Sequence, residues 1–222
     1  MHRQNRLRVE GEITRDLTLA ASGLLCAKVG GPSVFPPMPA DVAALSYANN
    51  FKWIPSQGED RYRRGMYTFF KRTAPHPNLM TFDCPDSNAT AISRGSSNTP
   101  LQALVTLNNE LFAEAARGMA KRVLEKKFER DLERMQFAFR LCVIRPGDSR
   151  ELGTLLRVLE RSRAWYKEHA GDAKAVVGRN LVGSASADAG AKTSAEADPT
   201  EQAAWMNVAR VILNLDEFLN RE

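Results

Sequence analysis

The apolar residues of this chain fall into runs at helical spacing, separated by one long stretch in which that spacing fails. Between Arg3 and Leu24, residues Val9, Ile13, Leu17, Ala20 and Leu24 line a single stripe and predict a first helix. Asp16 falls inside the stripe. A carboxylate on a buried face needs a cationic partner, and the arginines further along are the candidates.

The stripe ends at KVGGPSVFPPMP, where two glycines and four prolines forbid a continuing helix. Val34 and Phe35 are apolar enough to pack, so the stretch reads as an adherent loop. YANNFKWIP, residues 47–55, predicts a short strand or extended segment. Residues 62–71 predict a short helix, with Tyr62, Met66, Phe69 and Phe70 on one face. An irregular connection follows through TFDCPDSNATAISRGSS.

NTPLQAL opens the next helix: Thr99 is the N-cap, Pro100 takes the first helical position, and Gln102 sits where a capping box bonds back. The pattern continues as one helix to Lys126 through Leu101, Leu104, Val105, Leu111, Phe112, Ala115 and Met119, with Asn108 on the same buried stripe. A further helix over 129–144 is apolar on two sides. Arg145-Pro146-Gly147 breaks it, and Asp148 or Ser149 caps the next, whose core face is Leu152, Leu155, Leu156, Leu159 and Tyr166. Residues 171–199 turn to Ala, Gly, Ser and Asp and read as a flexible linker. The final segment, 200–222, puts Trp205, Val208, Ala209, Ile212, Leu215 and Leu219 on one stripe and should dock back on the same domain.

The pattern predicts an all-α domain of about five main helices over residues 1–170, completed by the returning C-terminal helix. A long irregular Pro-rich insert, at about 25–98, lies between helix 1 and the helix starting near Thr99.

Charge adds one feature. The net charge is +5, from 31 basic and 26 acidic residues, and the segment Arg61–Arg72 is rich in Lys and Arg with no acid. Cations interleaved with aromatics can track phosphates and stack on bases, but the rings recur at core spacing and no nucleic-acid motif accompanies them. The favoured role is internal: Arg64 and Arg72 tie the insert to the body by pairing with Asp16 or Asp83 and with loop carbonyls, because so long a loop stays ordered only if its backbone groups are satisfied.

Cys26, Cys84 and Cys142 are far apart, as are His2, His76 and His169, so no metal-ligand or haem-attachment spacing is present. Cys142 reads as a small buried apolar residue. The N-terminus has no apolar h-region, and no run approaches the ~20 apolar residues of a membrane span. SRGSSNT precedes a helix N-terminus that could receive an anion but lacks a phosphate-loop pattern. No Ser, His and acid signature appears. His76 stands between two prolines, Asp83 and Asp86 read as turn carboxylates, and Asn108 as a satisfied buried amide.

Strung together, GGPSVFPP, RRGMYTFFKRTAPHPNLMTFDCPD, NTPLQALVTLNN and AAWMNVARVILNLDEFLNRE resemble the C-terminal helical domain of unknown function, "DUF fifteen-fifty-three" type, of large planctomycete proteins associated with cytochrome-c-like modules. The resemblance spans almost the whole chain. It implies an extracytoplasmic setting, a companion helical domain and a cytochrome-c-like domain as partners, haem only in an upstream or partner domain, and no established catalytic residues. It also marks Asp16, with Arg15, and Arg64, Tyr67, Arg72, Asp83, Arg94 and Asn98 as a polar network. The stretch before NTPLQAL is richer in arginine in the family, whereas this chain keeps Arg94.

Three functional expectations follow. The first is a non-enzymatic accessory module packing against a redox or carbohydrate-handling partner. The second is a carbohydrate-binding or carbohydrate-active domain with Arg64, His76, Asp83 and Arg94 around a cleft beneath the insert. The third is nucleic-acid binding.

Overall fold

The computed structural model describes residues 7–43, 52–86, 88–178 and 198–221. Among them it is helical, with seven helices of seven residues or more. No helix among the described residues is long and apolar enough to cross a membrane.

Helix α1 (Gly11–Ser22) ends at Gly23, whose φ of 79° is the left-handed geometry that closes a helix, with Leu24 N–H donating to the Leu19 carbonyl at 2.9 Å. Residues 7–8 precede α1 as strand β1 (Leu7–Arg8), paired antiparallel with β2 (Asn220–Arg221) at the other end of the chain. Leu19 and Ala21 turn to the core while Ala20 is exposed, so the predicted stripe is displaced by a residue in the last turn. The insert contains two short helices, α2 (Ala40–Ala43) and α3 (Pro77–Thr81).

The helix expected from Thr99 is two helices, α4 (Pro100–Asn108) and α5 (Glu110–Leu124). The break falls at Asn109, whose side chain caps α5 by accepting from Leu111 N–H at 3.0 Å and also accepts from Asn78 Nδ2 at 3.0 Å. α6 (Asp131–Val143) and α7 (Ser149–Glu168) follow, and α7 is opened by a capping box between Asp148 and Glu151.

The first residues of the stretch expected to be a linker are helical. Residues Ala170–Val177 form α8, which buries Ala173 against α9. Three small apolar residues, Ala173, Val176 and Val177, suffice because α9 offers a ready surface. Residues 179–197 lie outside the described residues. α9 (Pro199–Leu213) and α10 (Asp216–Leu219) replace the single C-terminal helix, with the break at Asn214, whose side chain receives the Thr106 hydroxyl.

α9 is the centre of the body, lying against α5, α7 and α8. Alanines on both partners (Ala115, Ala116 and Ala120 of α5; Ala203, Ala204 and Ala209 of α9) let the two helices approach closely, and Trp205, Phe139, Met119, Met135 and Leu159 fill the rest. Arg163 of α7 fastens the outside of this packing by reaching Asp131 of α6 and Glu201 of α9.

Two expectations for the insert are revised. Residues 62–71 are not a helix; they hold the end of one 3-10 turn (Gly58–Tyr62) and another at Gly65–Tyr67. Aromatic spacing there fits a helix, but the backbone bonds elsewhere: Cys26 N–H to the Tyr62 carbonyl at 3.0 Å, Val34 N–H to the Tyr67 carbonyl at 2.8 Å, and Phe69 N–H to the Val34 carbonyl at 2.8 Å. The strand expected at 47–55 falls partly outside the described residues, and residues 52–55 are not a strand.

Candidate functional site

The polar chemistry concentrates where the insert crosses α1 and α5. At Gly65 the backbones touch: an added Cβ would lie 2.6 Å from the Glu12 Cα and carbonyl oxygen, so only glycine fits. Gly65 N–H donates to Asp16 Oδ1 at 2.6 Å, and Arg64 Nε donates to Asp16 Oδ2 at 3.0 Å. The partner expected for Asp16 is thus Arg64.

Three more arginines act inward here. Arg15, 6% exposed, donates from Nε to the Arg63 carbonyl at 3.2 Å and from Nη2 to the Arg61 carbonyl at 2.6 Å. Arg61, 2% exposed, donates from Nη2 to Glu110 at 2.7 Å and from Nε to Glu114 at 3.1 Å. Burial works against the Arg61 charge, but the bonds and charges of Glu114 and Glu110 outweigh it and hold its pKa above the ordinary value. Arg63, 1% exposed, threads the Gly-Gly loop: its guanidinium donates to the carbonyls of Lys28, Gly30 and Pro32 and stacks on the Tyr67 ring, 3.9 Å from the centroid.

Above this layer the insert has a small core of its own. Phe35, Trp53 and Phe69 pack edge to face or tilted, with centroids 5.0 to 6.3 Å apart. Trp53 Nε1 donates to the Pro36 carbonyl at 2.8 Å, and His76 Nε2 donates to the Pro37 carbonyl at 3.1 Å. These bonds satisfy the carbonyls of a proline run that has no amides to offer.

The remaining candidates are dispersed. Tyr67 accepts at its hydroxyl from Gly30 N–H at 2.8 Å. His76 is buried and caps α3, its Nδ1 accepting from Asn78 N–H at 3.3 Å; burial, with the Arg15 charge adding to it, pulls its pKa down to about 4. Asp83, at φ 60°, accepts from Ser97 N–H and Oγ at 2.8 Å each. Arg94 pairs with Glu10 at 3.0 Å and Glu12 at 2.9 Å. Asn98 is exposed with no hydrogen bond among the described residues. Arg72 is likewise exposed and unpaired among them, which corrects the inward role expected for it. Asn108 is exposed, not buried, and its side chain donates to the Leu104 carbonyl at 3.0 Å. Arg64, His76, Asp83 and Arg94 therefore have four separate sets of partners. Burial, with the Glu12 charge adding to it, pushes the Cys84 thiol up to about 11, and burial takes Cys142 to about 12, so neither is a ready nucleophile.

α4 is inverted. Its buried residues are polar, Gln102 at 0% and Thr106 at 2%, while Leu101 and Leu104 are 57% and 55% exposed. The capping box is only half made, with Thr99 Oγ1 accepting from Gln102 N–H at 3.4 Å. The Gln102 side chain instead donates to the Thr81 carbonyl at 2.9 Å and reaches Ser97 and Asp83, pinning the insert's last loop under α4. A visible signal was missed here. Residues 77–109 contain three charged side chains, Asp83, Asp86 and Arg94, in a chain where 26% are charged.

A family model described as PSD1, protein of unknown function (DUF1553), matches residues 1–159. The chain belongs to that family. No curated protein and no solved structure matches it. The PSD1 match takes in the whole insert, the buried arginines and α4, and it ends within α7. α9, the helix on which the core is built, lies beyond it.

Proposed function

We propose that this PSD1 domain is a non-catalytic accessory module that binds another protein domain through the outward face of α4. The observation that carries the reading is the inversion of that helix. Two half-exposed leucines one turn apart are left in water while a glutamine and a threonine take the inside, in a neighbourhood depleted of charge, which is the compositional mark of an interface centre. Met80, 36% exposed, extends the apolar surface onto α3. The occupant that fits is an apolar helix face, and by the resemblance given above it is the companion helical domain of an exported planctomycete protein. In this reading the assembly handles redox chemistry or carbohydrate outside the cytoplasm, and any haem belongs to a cytochrome-type partner.

The engagement of Arg64, His76, Asp83 and Arg94 with separate partners counts for this reading over a sugar cleft. The inward burial of Arg61 and Arg63 counts for it over a nucleic-acid groove. The test mixes the purified chain with the purified companion domain and measures the complex by calorimetry. Leu101→Glu with Leu104→Glu should weaken the complex at least ~100-fold, two buried leucines being worth about 3 kcal/mol or more. The same variant should leave the thermal midpoint of the free chain unchanged. Equal affinity for the variant, or substrate turnover by the chain alone, overturns the proposal.

A further inference from the structure

α3 stands between the buried His76 and the outward face of α4, and it grips α4 near both ends. At the C-terminal end, Asn78 Nδ2 donates at 3.0 Å to Asn109 Oδ1, the side chain that separates α4 from α5. At the N-terminal end, the Thr81 carbonyl accepts from Gln102 Nε2 at 2.9 Å. Between them Met80 belongs to the exposed apolar surface itself. We propose that His76 is a proton-operated catch for this surface. Neutral, it holds α3 and α4 in the docking arrangement; protonated, it frees α3, so the partner domain is bound near neutrality and released in acid. The identity of the occupant rests on the α4 reading above, whereas the catch rests on His76 and α3.

The catch follows from how α3 begins. Pro77 takes the first helical position, so Asn78 brings the first amide that needs a partner from outside the helix. His76 Nδ1 accepts it at 3.3 Å, while Nε2 donates to the Pro37 carbonyl at 3.1 Å. Those two bonds fit one neutral tautomer. A proton added at Nδ1 sets two N–H donors against each other. The ring is 4% exposed and tilted against Trp53, with centroids 6.0 Å apart, so the imidazolium reaches water only by leaving its seat. A five-residue helix has little stability of its own, and losing its cap leaves little to hold it.

The surroundings offer the proton no compensation. Around the small cavity beside His76, α1 contributes Thr14 and Arg15, α5 Leu111 and Phe112, and the insert Pro36 and Thr68. The charged neighbour is therefore another cation, and no carboxylate borders the cavity among the described residues. Burial first, and Arg15 second, pull the imidazole down to about 4, against 6.5 for an exposed ring. The released form therefore gains protons at a higher pH than the seated form. Between pH 7 and pH 4.5 the balance moves toward release by about 60-fold.

The test compares the intact wild-type chain with His76→Asn, whose side-chain oxygen can accept from Asn78 N–H at either pH. In the free chain, hydrogen-exchange protection of the Asn78, Gln102 and Leu111 amides should fall at least ~10-fold from pH 7 to pH 4.5. The variant should keep it. By calorimetry with the companion domain, Kd should rise at least ~10-fold over the same interval in the wild type and less than ~2-fold in the variant. Protection that the wild type retains at pH 4.5 overturns the proposal without reference to any partner or variant. Equal pH dependence of the two proteins, in either quantity, also overturns it. Absence of a complex at pH 7 overturns the α4 reading, and the exchange comparison then decides the catch.

Discussion

The helical body and the insert are held together by opposite means. The body joins α5, α7 and α9 through alanine contacts and buried Trp205, Phe139 and Leu159, with charge only at its rim. The insert has few apolar residues to bury, and its described stretches are fixed by guanidinium and ring N–H donors aimed at their carbonyls. Apolar packing is non-directional and tolerates small shifts, whereas a carbonyl bonded to a guanidinium fixes a backbone position. A chain segment rich in proline and glycine lacks both helix-forming propensity and amide donors, so donors must come from side chains. The contrast also predicts a hierarchy: the insert should come loose before the body does.

The largest effect should come from the body. Trp205→Ala removes a side chain of α9 that is 1% exposed, and should cost about 4 kcal/mol. Urea unfolding should show one transition, shifted to lower denaturant. A second transition, with the insert surviving, would reverse the hierarchy.

Acid should act on the insert first. His76 is neutral in the fold because burial, aided by Arg15, holds its pKa near 4, against 6.5 in an exposed histidine. The unfolded state therefore binds the extra proton throughout that window, so the histidine's contribution is complete above pH 6.5 and is lost as pH falls toward 4. The full loss is on the order of 3 kcal/mol. Protonation also removes the acceptor for Asn78 N–H. Hydrogen exchange should show the Val34, Ser56 and Phe69 amides losing protection over this range while α9 amides keep theirs. Parallel loss in both regions would break the comparison.

Gly65→Ala sharpens it further. The added methyl meets α1 backbone rather than a movable side chain, so the crossing must separate, at about 2 kcal/mol. Insert amides should exchange faster, with α5 and α9 unchanged.

The two regions were also unequally legible in the sequence. From Thr99 onward, amphipathic spacing and caps locate the helices, because apolar packing writes a periodic pattern into the chain; the returning stripe of Trp205, Val208 and Ile212 is read correctly, and of the two caps offered, Asp148 and Ser149, the fold uses Asp148. The pattern misleads where polar residues go inside. Leu101 and Leu104 fit a buried stripe, and only the loop carbonyl at Thr81 explains why Gln102 takes that place. Asn108 and Asn109 are indistinguishable by spacing, yet one is exposed and the other breaks the helix. Where the insert crosses α1, Asp16 inside an apolar stripe correctly calls for an arginine. Which arginines turn inward depends on carbonyls and carboxylates some 30 to 50 residues away, and no local rule reveals that Arg15, Arg61 and Arg63 are the ones. Of the proposed polar network, the sequence offers Arg64 and Arg72 to Asp16 or Asp83 without choosing between them, and the fold makes the Arg64–Asp16 pair.

The smallest and most discriminating measurement concerns Arg64 and Arg72, which the sequence presents as equals within one basic run. Arg64 is 43% exposed at its side chain and bonds Asp16, which is 13% exposed, so solvent screens the pair and Arg64→Ala should cost about 1 kcal/mol. Arg72 has no partner among the described residues, and Arg72→Ala should change stability by less than ~0.5 kcal/mol. Asp16→Ala should cost more than Arg64→Ala, because it also strands the Gly65 amide at the tightest point of the crossing. In the double variant Arg64→Ala, Asp16→Ala, the Arg64 loss should vanish, since its side-chain partner among the described residues is already gone. Equal penalties for Arg64 and Arg72 would mean that the run acts through its total charge rather than through one bond, and the guanidinium-fastened insert would then have no basis at this crossing.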